Sequence, residues 1–288
     1  MRVLCLLALL LPVAACQRPA VHYVVGKPYE MGGVWRYPHP SFSRVETGLA
    51  TVFRGSSPTA DGETWSNGAM LAASPTMQLP AAVRVTNLDN GLQLVLRVNA
   101  RGPTDPGRII GVSPRVAYLL GAPGSTAFPV RVRVLRRESQ ALAASLHGQP
   151  RVAVAAVPSG TVTAESLAPP PGAKGSGGTV ARAAPASSAA LFARGKVLPL
   201  RPPEVLTRVS PQRGALYVDA GGVGTPGFAE MLAARLAAFG AQAVPDYSYP
   251  LAEAFRARIG PLPNVATADE MLRRVLAAGI ANARIVVK

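Results

Sequence analysis

The sequence predicts a mainly β domain with the character of a small barrel, then a linker, then a C-terminal α+β domain. Three observations support this order. Short runs in which apolar and polar residues alternate fill positions 48–138, and a period of two is typical of strands with one buried face. From 139 to 212 the composition shifts to Ala, Pro, Ser and Gly, which favours an extended or flexible linker. From 213 to 288 strand-like and helix-like segments alternate.

Composition and charge restrict the possible partners. The 288 residues carry a formal net charge of +15 and only 6% aromatic residues. A basic chain can attract nucleic acid, an anionic membrane or an acidic polymer. The arginines are scattered and few aromatic residues accompany them, so the sequence predicts no nucleic-acid partner. Basic residues that form ordinary polar surface are the simplest explanation of the charge.

Positions 1–15 have the features of a secretory signal peptide. Met1-Arg2 precedes the apolar run "VLCLLALLLPVAAC", which ends in small residues and Cys16. This run is shorter than the ~20 apolar residues that a membrane-spanning helix needs. Cys5 and Cys16 are the only cysteines, and Cys5 lies within the predicted signal peptide. After its removal the exported chain would have no second thiol for a disulfide.

The tetrapeptide "VAAC" is similar to the lipobox of bacterial lipoproteins, in which the cysteine is acylated. This resemblance implies an anchor at Cys16, where several acyl chains give stable membrane attachment. Gln17 follows the cysteine, and among bacterial lipoproteins this favours the outer membrane. We therefore expect a lipid-anchored cell-envelope protein on the inner leaflet of the outer membrane, facing the periplasm. An ordinary signal peptide that ends near a cysteine is the alternative.

The first domain follows an irregular lead-in at 16–47. "GLATVFRG" predicts a strand, and "AAVRVTNLDNGLQLVLRVN" predicts a hairpin whose turn, Asp89-Asn90-Gly91, uses glycine for a positive φ. "RVAYLLGA" predicts a short helix that ends at Gly121. "FPVRVRVLRRE" predicts a strand with arginines on its solvent face.

The C-terminal domain is predicted as a strand–helix duplication with a four-stranded antiparallel sheet. "LYVDAGGV", "AFRARIGPL" and "ARIVVK" predict strands. Thr225 is the predicted N-cap of the first helix and Gly240 its end, while Thr267 and Glu270 predict a capping box for the second. The predicted apolar stripe of the first helix comprises Phe228, Met231, Leu232, Leu236 and Phe239.

The segments "VGKPYEMGGVWRYP", "TADGETWSNGAMLAAS" and "VRVTNLDNGLQLVLRVNARGPTDPGRIIGVS" together resemble the rare lipoprotein A family. The resemblance implies a six-stranded double-psi β-barrel at 48–138 and the activity of a septal lytic transglycosylase. "LYVDAGG", "FRARIGP" and "ADEMLRRVLAAG" resemble the SPOR domain, which implies that 213–288 bind peptidoglycan glycan strands lacking stem peptides.

The family reaction cleaves the bond between N-acetylmuramic acid and N-acetylglucosamine without water. The muramoyl 6-hydroxyl attacks its own anomeric carbon and leaves a 1,6-anhydro end. Because the substrate supplies the nucleophile, one carboxyl can serve first as acid and then as base, unlike the carboxylate pair of hydrolases. The resemblance implies no cofactor.

Compared with the family pattern, this sequence lacks the expected proton-transfer groups. The family usually has aspartate at the position of Ala100, histidine at that of Ser74 and aspartate at that of Gly111. Glu63 is retained and is the predicted catalytic residue, with Asp105 and then Asp61 as other carboxyls that could substitute. Glu63 could instead only bond its own loop. The residues expected to line the glycan groove are Asn99, Arg101, Arg108 and Asp105.

The remaining predictions concern the second domain and metals. The expected glycan face of the SPOR-like sheet comprises Tyr217, Asp219, Arg256 and Arg258, although solvated strand arginines are also common. The three histidines, His22, His39 and His147, are isolated, so no metal site is predicted.

Three functions follow from these features. The first is a lytic transglycosylase that uses Glu63 or a recruited carboxyl. The second is a non-catalytic glycan-binding envelope lipoprotein that is a tether or localiser at the division site. The third is a structural envelope lipoprotein without glycan affinity. The missing acid favours the second function. The family resemblance favours the first, but a shared fold alone does not fix function.

Overall fold

The computed structural model of the chain describes residues 21–146, 202–246 and 254–288. The predicted signal peptide, Cys16 and positions 147–201 of the predicted linker lie outside these residues. Within them, no helix combines the length and the apolar character needed to cross a membrane.

Six strands close into a barrel of mixed strand direction. A lead-in hairpin, β1 (Tyr29–Met31) and β2 (Val34–Arg36), precedes them. The barrel strands are β3 (Val45–Val52), β4 (Leu71–Ala73), β5 (Ala81–Asn87), β6 (Leu92–Ala100), β7 (Arg108–Val112) and β8 (Phe128–Val134). Their order is β4-β7-β3-β8-β5-β6, and β6 pairs back with β4. The pairs β3–β7 and β4–β6 are parallel. This closed barrel fits the predicted double-psi architecture.

Strands β5 and β6 form the predicted hairpin. Val83 pairs with Leu96 and Val85 with Leu94, and all four side chains are buried in the barrel core. Gly91 follows the turn with a φ of +73°, a region that residues with a Cβ rarely adopt. The alternation in the sequence therefore identified the inner face correctly.

Two helices pack on the barrel, and the second differs from the expectation. Helix α1 (Pro114–Leu119) begins at Ser113, whose hydroxyl accepts from the amide of Val116. Helix α2 (Arg136–Ser145) occupies positions where the linker was expected to begin at 139. Ser139 Oγ bonds both the amide and the carbonyl of Ala82 on β5, each at 3.0 Å. The prediction failed because alanine is frequent in low-complexity segments and is also the best helix former.

The end of the predicted linker lies along the barrel. Strand β9 (Thr207–Arg208) pairs with the start of β6. The amide of Val209 donates to the carbonyl of Gly91 at 2.9 Å, and the amide of Gln212 donates to that of Leu88 at 3.0 Å. Positions 207–212 are therefore an added edge of the barrel sheet.

The C-terminal domain has the predicted four-stranded antiparallel sheet. Its elements are β10 (Leu216–Gly224), α3 (Pro226–Arg235), β11 (Gln242–Pro245), β12 (Phe255–Leu262), α4 (Val265–Ala277) and β13 (Arg284–Val287). The strand order is β11-β12-β10-β13. No sequence pattern indicated β11, because this four-residue strand is only partly buried and shows no clear alternation.

Both helices of this domain differ in detail from the prediction. Thr225 caps α3 as expected, but Phe228 and Met231 are 44% and 59% exposed. Small residues, including Ala229 and Ala233, occupy the buried face instead. The capping box at Thr267 is wrong, because Asn264 caps α4 and the helix begins at Val265, three residues earlier than predicted.

The C-terminal domain packs against barrel strand β3. Leu49 of β3 lies in the same buried cluster as Leu272 of α4 and Ile285 of β13. The Thr47 hydroxyl donates to the Val287 carbonyl at 2.6 Å. Apolar burial and hydrogen bonding therefore both hold the two domains together.

Candidate functional site

The positions that carry the family resemblance meet where β4 lies between β6 and β7. Ala73 on β4 pairs with Ala100 on β6 and with Gly111 on β7. The amide of Ser74 donates to the carbonyl of Ala100 at 2.9 Å. The fold thus brings Ser74, Ala100 and Gly111 together, and none of the three has an ionisable side chain.

An apolar cluster surrounds Ala100. The buried members are Trp65, Leu71, Ala73 and Ala100, with Phe53 and Ala69 packed against them. The rings of Phe53 and Trp65 meet edge to face with centroids 4.8 Å apart. A Cβ at Gly111 would lie 2.9 Å from the Cβ of Phe53. Aromatic and methyl groups therefore fill the space around the expected acid position.

Ser74 and Arg101 bond the surrounding backbone. Ser74 is 1% exposed, and its hydroxyl accepts from the amide of Met77 at 3.3 Å. The Arg101 guanidinium donates to the carbonyls of Met77 and Val25. These contacts tie the lead-in to the barrel, and the role of Arg101 in lining the glycan groove stays a prediction. The next residue, Gly102, has a φ of +139°, which favours glycine.

Glu63 belongs to an ionic cluster that adjoins Ala100 through Asn99. Its carboxylate pairs with Arg97 and accepts from Asn99 Nδ2 at 2.6 Å. The register between β4 and β6 passes from Val98 directly to Ala100, so Asn99 is an extra residue that such an irregularity can redirect. Both carboxylate oxygens of Glu63 are thus engaged, one by a cation and one by an amide donor. The side chain of Glu63 is 13% exposed.

Arg97 is the residue of this cluster that the sequence analysis missed. It is 1% exposed, although it lies on a barrel strand with apolar neighbours. Strand alternation placed it on the face opposite the core and gave no sign that a loop covers that face. A buried arginine requires an acidic partner, and Glu63 supplies it.

Asp61 is buried near Arg97 without a full set of bonds. Its Oδ1 accepts from the Thr59 hydroxyl at 2.7 Å and from the Glu63 amide at 3.2 Å. Its Oδ2 has no hydrogen-bond partner in the described parts of the chain. Burial raises the pKa of Asp61 to about 6, although the Thr59 bond and the charges of Arg97 and His22 oppose this. Since Asp61 is 0% exposed, it has no direct access to a ligand.

The raised pKa of Asp61 predicts a pH-dependent stability. A carboxyl whose pKa is higher in the folded than in the unfolded chain destabilises the fold as pH rises between the two values. A rise in the pKa of Asp61 from its ordinary 3.8 to about 6 lowers the stability of the folded chain by about 3 kcal/mol once pH exceeds both values. Asparagine at position 61 does not ionise, so Asp61→Asn should not show this loss of stability. We therefore expect the free energy of unfolding of the variant to increase relative to that of wild type between pH 4 and pH 7.5. Urea unfolding at both pH values measures the difference, and a pH-independent difference would contradict the assignment.

Two other predicted groove residues also lie apart from the cluster around Ala100. Arg108 forms a bidentate pair with Asp269 of α4, at 2.6 and 2.7 Å. This pair links the two domains, and the glycan-binding role of Arg108 stays a prediction. Asp105 is exposed in the turn between β6 and β7.

Half of the predicted glycan face in the C-terminal sheet is buried. Asp219 is 1% and Arg256 is 5% exposed. Arg256 pairs with Asp246, and Arg258 donates to Asp219 at 2.7 Å. The expectation of an open arginine face is wrong for Arg256, because alternation predicts the side of a sheet but not its ion pairs. Tyr217 and Arg258 are partly exposed, with 5.5 Å between the guanidinium and the ring centroid.

No group of three His, Cys, Asp or Glu residues within the described ranges could hold a metal ion. His147 lies outside these ranges.

Comparison with known proteins identifies relatives of this chain. A family model described as lytic transglycolase matches residues 45–132. The endolytic peptidoglycan transglycosylase RlpA of Pseudomonas aeruginosa is 32% identical over 281 residues, which cover 90% of this chain and 75% of the relative. RlpA of Rickettsia felis is 35% identical over 125 residues, or 41% of this chain and 55% of the relative. RlpA of Yersinia pestis is 44% identical over 90 residues, which cover 30% of this chain and 24% of the relative.

The extent of these matches differs. The chain spans about half the length of the Rickettsia felis relative, whereas the Pseudomonas aeruginosa match extends over both described domains. With the closed barrel, this match shows that the chain belongs to the RlpA family.

Proposed function

We propose that this protein binds peptidoglycan glycan strands lacking stem peptides and does not cleave them. The observation that carries the proposal is the surroundings of Ala100. A methyl group occupies the position of the family acid, and Phe53, Trp65, Leu71 and Ala73 pack around it. General acid–base catalysis contributes typically about 10²–10⁴-fold to rate, and none of these groups transfers a proton.

The interactions of Glu63 make it a weak replacement for the missing acid. Arg97 contacts one carboxylate oxygen of Glu63 and Asn99 donates to the other, so both oxygens are already engaged by the protein rather than open to a leaving group. Asp61 has the higher pKa, but its complete burial separates it from substrate.

A lytic transglycosylase that uses Glu63 is the second candidate. The observation in its favour is that the Glu63 carboxylate is partly exposed and held in one orientation by two donors. In this alternative Glu63 replaces the family acid. It gives a proton to the leaving oxygen as the glycosidic bond breaks, and then takes the proton of the muramoyl 6-hydroxyl as that oxygen bonds the anomeric carbon.

The proposed location is the cell envelope. Acylation of Cys16, implied by the "VAAC" motif, would hold the protein on the inner leaflet of the outer membrane. The C-terminal domain would act as a SPOR-like module that locates stem-peptide-free strands at the septum. Its partly exposed Tyr217 and Arg258 are the residues that we assign to glycan contact.

The test separates binding from cleavage. The purified protein is incubated with glycan strands from which an amidase has removed the stem peptides. We expect the strands to retain the protein in a pull-down and mass spectrometry to detect no 1,6-anhydro products. Products that disappear in Glu63→Gln would instead establish the second candidate. Absence of both binding and products would contradict both functions and leave a structural envelope role.

A further inference from the structure

A basic groove lies on the outer face of the barrel, away from the cluster around Ala100. It has a volume of about 290 Å³, near the lower end of small-molecule sites, which start at about 300 Å³. Strands β5, β6 and β8 form its floor, and positions 209–212 form a wall. None of its lining residues is acidic: Arg84, Thr86, Leu88, Gln93, Arg131, Arg133, Val209, Ser210 and Gln212.

The arginines of this groove are placed unfavourably for stability. Arg84 on β5 is the direct cross-strand partner of Arg133 on β8, and Thr86 is that of Arg131. Like charges directly opposite each other in a sheet repel. Among the described residues, neither Arg84 nor Arg133 has an acidic partner in an ion pair. The barrel therefore gathers positive charge here without neutralising it.

The wall of the groove is fixed by the chain itself. Backbone bonds from Val209 to Gly91 and from Gln212 to Leu88 hold the wall on the hairpin turn. A Cβ at Gly91 would lie 1.9 Å from the Val209 carbonyl oxygen, so this close approach needs glycine. Arg131 donates to the side-chain oxygen of Gln212 across the groove. The site is thus built before any ligand arrives.

We propose that this groove is a second glycan-binding site, which recognises the lactyl carboxylates of stem-peptide-free strands. This inference rests on the proposed function. In such strands each N-acetylmuramic acid bears a free carboxylate, whereas a stem peptide would convert that carboxylate into an amide. Arginine pairs with carboxylates through two parallel hydrogen bonds. Thr86, Gln93, Ser210 and Gln212 supply neutral groups that bond sugar hydroxyls and acetamides.

The charge of the groove favours this occupant over neutral sugar. A strand presents one carboxylate per disaccharide, so several weak contacts with one strand add to those of the C-terminal domain. Linked sites raise the overall affinity because the second contact becomes intramolecular. Contacts between exposed charges weaken with salt, and binding through this groove should do the same.

The test compares strands with and without charge. Stem-peptide-free strands are used as prepared or after carbodiimide coupling to methylamine, which converts their carboxylates into amides. We expect Arg84→Gln/Arg133→Gln to bind native strands about tenfold more weakly than wild type. Amidated strands should bind both proteins equally. Raising salt from about 50 to 200 mM should weaken wild-type binding more than variant binding.

The matched control removes two charges elsewhere. Arg136 and Arg137 are exposed at the start of α2, and Arg136→Gln/Arg137→Gln changes the net charge equally. We expect this control to bind native strands like wild type. The groove variant should be at least as stable as wild type in thermal unfolding, since it removes the Arg84–Arg133 repulsion.

The outcomes distinguish this inference from the proposed function. If wild type binds native strands and the groove variant binds them equally, the groove inference fails and the proposed function stands. If wild type binds no strands, both fail. Vesicles containing phosphatidylglycerol supply phosphate instead of carboxylate. Loss of vesicle binding without loss of strand binding in the groove variant would assign the groove to lipid headgroups and overturn the inference.

Discussion

Replacing Arg97 by methionine is expected to lower the free energy of unfolding by about 3–5 kcal/mol. Arg97 is 1% exposed and pairs with Glu63, so its loss leaves a largely buried carboxylate without its cation. Asp61 also loses an attractive charge. Removing one partner of a buried pair costs more than removing both, because the remaining charge is uncompensated. Urea unfolding at pH 7.5 measures the loss.

A double-mutant cycle tests this explanation. Glu63→Gln keeps the size of the side chain and its bond with Asn99 but removes the charge. We expect Arg97→Met/Glu63→Gln to be more stable than Arg97→Met alone, since no unpaired carboxylate remains at position 63. A loss below about 1 kcal/mol in Arg97→Met, the size expected for a surface pair, would show that the cluster contributes little.

The fold was largely predictable because local patterns determine most of it. Val83, Val85, Leu94 and Leu96 alternate along the hairpin and are all buried. The errors arose where packing depends on distant segments. Helix α2 is stabilised by burial against β5, and alanine composition alone does not distinguish such a helix from a linker. The exposed Phe228 and Met231 show that hydrophobicity alone did not identify the helix face that meets the sheet.

The candidate site was predictable in its positions but not in its contacts. The resemblance placed Ser74, Ala100 and Gly111 in one site, and β4 brings them together. The ion pairs of Arg97 and Arg108 join residues 34 and 161 positions apart in the chain, and no local periodicity indicates such pairs. The packing of Phe53 against Gly111 depends in the same way on the closed barrel.

Restoring the missing groups in Ala100→Asp/Ser74→His is expected to create lytic activity in a parent that has none. The apolar side chains around position 100 would raise the pKa of the new carboxyl, so that it keeps a proton near neutral pH and can protonate the leaving oxygen. Proton transfer of this kind contributes typically about 10²–10⁴-fold to rate. Mass spectrometry of 1,6-anhydro products from stem-peptide-free strands measures the gain. Activity should fall as pH rises above the pKa of the new acid.

The control for this gain is Ala100→Asn/Ser74→His, which has nearly the same volume but cannot transfer the proton. We expect this control to bind strands without releasing products. Both variants place a polar group in the cluster of Trp65, Leu71 and Ala73, so both should unfold at lower temperature than wild type. Only the aspartate variant should lose further stability between pH 5.5 and pH 8, because its carboxyl ionises there in an apolar site.

If the aspartate variant folds and binds strands yet releases no anhydro product, the acid at position 100 is not what this barrel lacks. Phe53, which packs against Gly111, would then be the next residue to change.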